Sequence, residues 1–199
     1  MSNQDIDIII KRILRDIAVE LSDEFDKNFV RQAFFSEAWQ RRVSPTRPGG
    51  HILVDSGTLR RSIQSRTSDS SITFFSTLPY AAIHNEGGEI VVTARMKRFF
   101  RAKAYEAQGS FERKSRKERG DSPRRTLSDR QFWGWMHSMS LTAEAEFWCA
   151  MAMKPEGSTI KIPKRQFIGA SPEVEKAVRE IIDKNLDDYF EHDFKIETK

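Results

Sequence analysis

Residues 5–34 have the sequence DIDIIIKRILRDIAVELSDEFDKNFVRQAF, in which no Pro or Gly interrupts a run of regularly spaced apolar residues. Ile, Leu and Phe recur every three or four positions with charged residues between them, a spacing that predicts one amphipathic helix. About 30 residues at 1.5 Å per residue give a rod of roughly 45 Å. We therefore expect the helix to lie across a sheet or to project toward a neighbouring subunit.

Outward from this helix, the sequence predicts short strands and further helices, with no regular βαβ alternation. This order favours an α+β fold in which a small antiparallel β-sheet packs against long N-terminal and C-terminal helices, with a helical basic insertion. Asp55 or Ser56 is the expected cap of a helix that carries Leu59 and Ile63 on one face. The expected strands are 52–54, 71–78, 89–93 and 158–162, with a hairpin through Gly87 and Gly88 that leads into the strand 89–93 and places His84 and Glu86 on one face of the strand before it. The expected later helices are 95–108, 128–153 and one starting at 171.

The same pattern predicts three sections along the chain. Residues 1–94 form the N-terminal part of a core domain, with the long helix and most of the sheet. Residues 95–157 form a helical, basic insertion with a mobile loop near 109–127, where apolar residues are almost absent. Residues 158–199 add a strand and a helix that complete the core domain.

Length and composition exclude several classes of protein. A chain of 199 residues and 23.1 kDa is long enough to bury a sizeable core without a metal or a disulfide. Its single cysteine, Cys149, excludes a disulfide scaffold and a Cys-rich zinc site. No apolar run approaches the roughly 20 residues that cross a bilayer, so we expect no membrane segment. We also expect no signal peptide, because the start lacks a basic region and a cleavage site.

Charge is concentrated in one part of the chain. Residues 95–125 hold twelve Lys and Arg against four Asp and Glu, a net charge of +8, which leaves −4 for the rest of a chain whose total is +4. This segment predicts contacts with DNA or another anionic partner, and the alternative is a solvated loop that only keeps the protein soluble. The candidate contacts are Lys97, Arg98, Arg101, Lys103, Arg113, Lys114, Arg116, Lys117 and Arg119.

No catalytic arrangement stands out among the titratable and nucleophilic residues. His84 and Glu86 could suggest an acid–base or metal cluster, but a histidine beside a Gly-Gly turn more often bonds the turn backbone. Ser56 lies in DSGTL, which is not the pattern of a nucleophilic serine. Cys149 lies among large apolar residues, so we expect a buried, inert thiol. We predict a protein without catalytic residues, metal or cofactor.

Three strings occur in an order that points to a known family: VDSGTLRRSI at 54–63, PYAAIHNEGG at 79–88 and IPKRQFIGAS at 162–171. Together with the long first helix, they resemble the phage virion-morphogenesis or tail-completion family of long-tailed phages and Mu-like prophages. The chain departs from that pattern between the second and third strings, where it has about seventy residues instead of a shorter stretch. The role of the basic insertion therefore cannot be carried over.

The resemblance implies a non-enzymatic structural protein that acts in tail completion or head–tail joining. It also implies other phage tail or neck proteins as partners and a homo-oligomeric ring in the particle. The expected location is the bacterial host cytoplasm during assembly, then the tail or neck of the virion. The motif residues would shape turns and contact neighbouring subunits. These are Asp55, Ser56, Gly57, Leu59, Tyr80, His84, Gly87, Gly88, Arg165 and Phe167.

Overall fold

A computed structural model of the chain describes residues 3–109 and 128–193. The chain divides into two compact units, each described below by itself. The first unit takes in the described residues within Met1–Arg41, Gly50–Gly88 and Pro163–Lys199, and the second unit those within Arg42–Gly49 and Glu89–Ile162. The three-section division of the sequence stays a prediction.

The described residues form seven α-helices, six short strands and one π-helical turn. In chain order these are α1 (Asn3–Arg31), β1 (Ala33–Phe34), β2 (Glu37–Ala38), α2 (Thr58–Arg61), β3 (Ile63–Thr67), β4 (Ile72–Ser76), α3 (Ala81–Glu86), β5 (Gly88–Val91), α4 (Ala94–Ala107), α5 (Asp129–His137), α6 (Ala143–Met153), β6 (Thr159–Ile162), α7 (Pro172–Asp188) and the π-helical turn Tyr189–Asp193.

The long first helix is confirmed, and it ends three residues before the expected boundary. Helix α1 stops at Arg31 because Gln32 takes a left-handed conformation, with φ 58°. The chain then makes a small hairpin, in which Ala33 of β1 pairs with Ala38 of β2 in an antiparallel register. This hairpin was not predicted from the sequence, because its strands are only two residues long.

The segment from residue 52 to strand β3 differs from the prediction. Residues 52–54 form no strand, and Leu53 has a φ of 60°. Helix α2 is a single turn with Gly57 at its N-cap position, and Ser56, one of the two expected caps, accepts a hydrogen bond from Thr58 N in that turn at 3.4 Å. Ile63 begins strand β3 instead of extending the helix, and β3 pairs with β4 from Ile63↔Ser76 to Thr67↔Ile72.

The expected hairpin through Gly87 and Gly88 is wrong. Residues 81–86 form helix α3, which places His84 and Glu86 on a helix instead of on one face of a strand. Gly87 ends that helix with a φ of 76°, a conformation that glycine adopts without a steric penalty. Strand β5 then pairs with β6, the strand predicted at 158–162, and not with β4.

Two hydrophobic clusters form the core of the first unit. One packs the apolar stripe of α1 against β1, β4 and α7, with Ile17, Leu21, Phe25 and Phe34 buried. The other surrounds Phe29, which is fully buried. Helix α7 begins at the predicted Ser171 cap, whose hydroxyl accepts a hydrogen bond from Val174 N at 3.2 Å.

The second unit has its own core of aromatic and small residues. Helices α4, α5 and α6 bury Phe100, Ala104, Phe132, Cys149 and Ala152 together. The predicted basic helix is confirmed as α4. The predicted single helix over 128–153 is wrong: α5 ends at His137 and α6 begins at Ala143. Ser138 is the C-cap of α5, and Thr142 is the N-cap of α6. Hydroxyl side chains form hydrogen bonds with nearby backbone groups and so compete with the bonds of a continuous helix.

The fold class is α+β, as predicted, with long N-terminal and C-terminal helices. The sheet is divided, however, into three two-stranded sheets, β1–β2, β3–β4 and β5–β6, among the described residues. In those same ranges, no helix combines the length and the apolar character that a bilayer crossing requires.

Candidate functional site

The three sequence strings meet in the first unit. Leu59 from 54–63, Ala81 from 79–88 and Phe167 from 162–171 are buried in one cluster with Phe29 and Trp39. The Phe29 ring lies 5.4 Å from the Phe167 ring and 5.6 Å from the Trp39 ring, measured between centroids. We call this cluster the motif junction. It shows that segments more than a hundred residues apart in the chain form one structural site.

Asn85 joins the second and third strings. Its Oδ1 accepts hydrogen bonds from Phe167 N at 2.9 Å and from Ile168 N at 3.1 Å. One residue earlier, the His84 carbonyl accepts a hydrogen bond from Arg165 N at 2.8 Å. These three bonds fasten helix α3 to the backbone that leads into α7. Phe167 is thereby held with its ring in the motif junction.

Helix α1 and the residues after it hold the same backbone from the other side. Asn28, fully buried, donates from Nδ2 to Phe167 O at 3.3 Å and accepts from Phe35 N at 3.0 Å. Trp39 donates from Nε1 to Gln166 O at 2.7 Å. Arg165 donates from Nε to Gln40 O at 3.1 Å. The polar side chains around Phe167 therefore bind backbone atoms and hold this part of the chain in place, which is a structural role.

The first string is tied to α1 by an ion pair. Arg60 makes a two-bond contact with the Asp26 carboxylate, and this hydrogen bonding lowers the pKa of Asp26. Gly57 has a φ of 74°, and the Arg61 guanidinium folds back to donate to Ser56 O at 2.8 Å. Ser56 and Asp55 are exposed. The string therefore makes a tight turn whose outer side faces solvent.

His84 does not form an acid–base pair. It is half-buried, and its Nδ1 has no hydrogen-bond partner among the described residues. Burial lowers the pKa of His84, and the positive charge of Arg165 lowers this pKa further. Glu86 is exposed at the end of the same helix. Within residues 3–109 and 128–193, no group of three His, Cys, Asp or Glu is arranged to hold a metal ion.

The remaining motif residues lie at the surface of the junction. Tyr80, 42% exposed, packs edge-on against the His84 ring at 6.1 Å, and Gly88 is exposed where the chain leaves the first unit. Together with Asp55 and Ser56, they are the exposed members of the predicted set, whereas Gly57, His84, Gly87 and Arg165 are half-buried.

The basic segment is only partly described. On helix α4, Arg101 lies over the Phe132 ring at 5.5 Å and Lys103 pairs with Glu106 at 2.9 Å. Arg98 is exposed and Lys97 half-exposed, and neither has an ion pair in the described part of the chain. Five further candidates fall outside the described residues: Arg113, Lys114, Arg116, Lys117 and Arg119.

Cys149 is buried in the second unit, as expected. Burial raises the pKa of its thiol, and the nearby Glu146 carboxylate adds to this shift. The neutral thiol is a poor nucleophile, because the thiolate is the reactive form.

Sequence reasoning missed the polar residues that organise the junction, above all Asn28 and Asn85. A signal was present for Asn28, which stands between Phe25 and Phe29 on the apolar side of the first helix. A polar residue in that position predicts a buried hydrogen bond, since burying an unpaired amide is unfavourable. Asn85 carries no comparable signal, because its acceptor role depends on two backbone groups 82 and 83 residues away.

One family model matches the chain, and its description is "Phage virion morphogenesis family". The match covers residues 9–187. It spans all three strings, the basic segment, most of α1 and all but the last residue of α7. No curated protein and no solved structure matches the chain.

Proposed function

Because this chain belongs to the phage virion morphogenesis family, we propose that it is a non-enzymatic structural protein that acts in tail completion or head–tail joining. The family assigns the broader role, which is phage assembly. The observation that carries the proposal is the extent of the match, since residues 9–187 include every element of the first unit's core. The more specific assignment to the tail end or to the neck of the particle is part of our proposal.

The chemistry of the motif junction supports a structural role. The side-chain amides of Asn28 and Asn85 and the indole N–H of Trp39 bind backbone atoms of the third string. Groups used in this way hold loops in place, and loops on a rigid scaffold are common recognition surfaces. The exposed residues of the junction, Asp55, Ser56 and Tyr80, are the proposed subunit contacts.

The proposed partners are other phage tail or neck proteins and further copies of this chain arranged as a ring. The protein would act in the bacterial host cytoplasm during assembly and would remain in the tail or neck of the virion. It would need neither metal nor cofactor.

A deletion of the gene in the phage or prophage that encodes it tests this role. Electron microscopy of the particles should show DNA-filled heads without functional tails, and the wild-type chain supplied in trans should restore them. Tyr80→Asp in trans should restore them poorly if the junction surface contacts a partner, whereas Glu86→Ala serves as a matched control. Normal, infectious, DNA-filled particles from the deletion would overturn the proposal.

A second candidate function is DNA binding through the basic segment. The observation that favours it is on helix α4, where Lys97 and Arg98 lie beside Phe99, a 44% exposed aromatic residue. Cations next to an exposed ring suit a phosphate backbone and its bases. The two functions are compatible, because a ring at a DNA channel could use cations along its inner surface.

A further inference from the structure

A groove lies on the first unit between helix α1 and strand β3. Its volume is about 680 Å³, and its α1 side carries Lys11, Arg15 and Val19. Ser65 and Thr67 line the opposite side. Alternation along a strand places these two residues on the same face as Ile63, which is partly buried and packs against the motif junction. The groove exists because the small side chains of Ser65 and Thr67 follow the larger Ile63 on this face of β3 and fill less space against α1.

The chemistry of this groove is apolar at the base and cationic at the rim. Leu14 and Ala18 lie in its lining, and Val19 is 66% exposed. Lys11 has no ion pair among the described residues, and Arg15 contacts Asp16 at 3.5 Å on an exposed surface. Asp69 is the one carboxylate among the described lining residues. A fitting ligand would combine apolar groups with negative charge.

Another part of the first unit has that combination. Residues 187–193 have the sequence DDYFEHD, with four carboxylates, the aromatic side chains of Tyr189 and Phe190, and no Lys or Arg. This segment ends α7 and forms the π-helical turn Tyr189–Asp193. Phe190 is 55% exposed there.

We propose that the groove of one copy binds the acidic–aromatic segment 187–193 of a second copy. The segment's aromatic side chains would cover Leu14, Ala18 and Val19, and its carboxylates would lie beside Lys11 and Arg15. Burial of apolar surface supplies affinity, while charge complementarity selects the partner and the orientation. The inference rests on the proposed function in one respect, since it names the contact between copies in the proposed ring.

A second copy suits the groove better than the same chain does. Asp188 is held 3.8 Å from Arg12 of its own α1, and Arg12 does not line the groove. The start of the segment therefore pairs with a residue of its own chain that lies outside the groove lining. Because the groove and the segment are different surfaces, the contact is heterologous, and repeating it yields a closed ring or an open filament.

Sedimentation velocity of the purified full chain at low salt tests the contact. Val19→Asp and Phe190→Asp should each weaken self-association at least tenfold, and added salt should weaken it in the wild type. Val30→Asp is the matched control for the groove, because Val30 is 57% exposed on the same helix and does not line the groove. Phe190→Leu keeps an apolar side chain and should retain most of the association.

A mixture of the two variants gives a stricter test. Val19→Asp keeps an intact segment and Phe190→Asp keeps an intact groove, so the mixture should form one-to-one dimers and nothing larger. Absence of such dimers, a monomeric wild type at its highest soluble concentration, or Val19→Asp associating like Val30→Asp would each overturn the inference.

These outcomes are separable from the test of the proposed function. A deletion that blocks tail assembly, combined with unimpaired association of Val19→Asp, rejects the groove contact and leaves the assembly role. Normal particles from the deletion, combined with the expected variant behaviour, reject the assembly role and leave the contact.

Discussion

Single polar residues decide how the motif junction is built. Asn85 provides one oxygen for two backbone N–H groups, and Asn28 uses both ends of its amide for two backbone groups of other segments. A buried backbone group without a partner costs about as much as a lost hydrogen bond, roughly 1–3 kcal/mol. These asparagines therefore fix the chain path at a point where neither helix nor sheet satisfies the backbone.

Replacing Asn85 by Ala should lower the free energy of unfolding by about 1–3 kcal/mol, because Phe167 N and Ile168 N lose their acceptor. Urea denaturation followed by circular dichroism measures the change. Glu86→Ala, at an exposed position of the same helix, should stay within roughly 0.5 kcal/mol of the wild type. Equal effects of the two substitutions would contradict the role given to Asn85.

His84 should be neutral at pH 7, because burial and the Arg165 charge both lower its pKa. The unfolded chain then binds the proton more readily than the folded chain does. The free energy of unfolding should fall as the pH drops below the unfolded imidazole's pKa of about 6.5. This fall should be smaller in His84→Gln. An NMR titration that places the pKa of His84 above 6.5 would refute this account and would indicate an acidic partner.

At the scale of elements, glycine has opposite effects in two helices. Gly57 begins α2 in the left-handed region, and an added Cβ would lie 2.7 Å from Arg61 Nη1, the movable end of that side chain. Gly134 lies inside α5, and an added Cβ there would have open space. The first glycine permits a turn, whereas the second only weakens a helix.

We therefore expect Gly57→Ala to destabilise the protein by about 1–2 kcal/mol, the usual penalty of a left-handed conformation for alanine. Gly134→Ala should stabilise it by roughly 0.5–1 kcal/mol, because alanine has the higher helix propensity. Calorimetric melting of both variants beside the wild type measures these shifts. A Gly57→Ala protein as stable as the wild type would show that the turn tolerates another conformation.

At the scale of the whole molecule, charge is divided between the two units. By sequence, the second unit holds seventeen Lys and Arg against nine Asp and Glu, a net charge of +8, and the first unit holds sixteen against twenty, a net charge of −4. An anionic partner is therefore attracted to the second unit, and the first unit repels it weakly.

If the second unit binds DNA, log Kd should rise linearly with log salt concentration. Neutralising Lys97 and Arg98 together should weaken binding for every DNA sequence and reduce the slope by about two. Fluorescence anisotropy over a salt series measures both quantities, with Lys176→Gln in the first unit as a control. Weak binding without salt dependence would leave the basic segment as a solubilising surface.

Sequence alone determined the features that depend on local chemistry. The spacing of Ile, Leu and Phe predicted α1, the Ser171-Pro172 start predicted α7, and the run of β-branched and aromatic residues predicted β4. The three strings also indicated the family, because their order along the chain is a property of the sequence and does not depend on its conformation. The signals for α1, α7 and β4 each lie within one continuous segment, where neighbouring side chains and the backbone decide the outcome.

Tertiary structure decided the rest. It turned residues 81–86 into a helix, paired β5 with β6 across about seventy residues, and left three small sheets where one was expected. It also selected Asn28 and Asn85 as the residues that hold the junction. The physical reason is that strand pairing and buried hydrogen bonds need partners from distant segments, and those partners are defined only once the hydrophobic cores have brought the segments together.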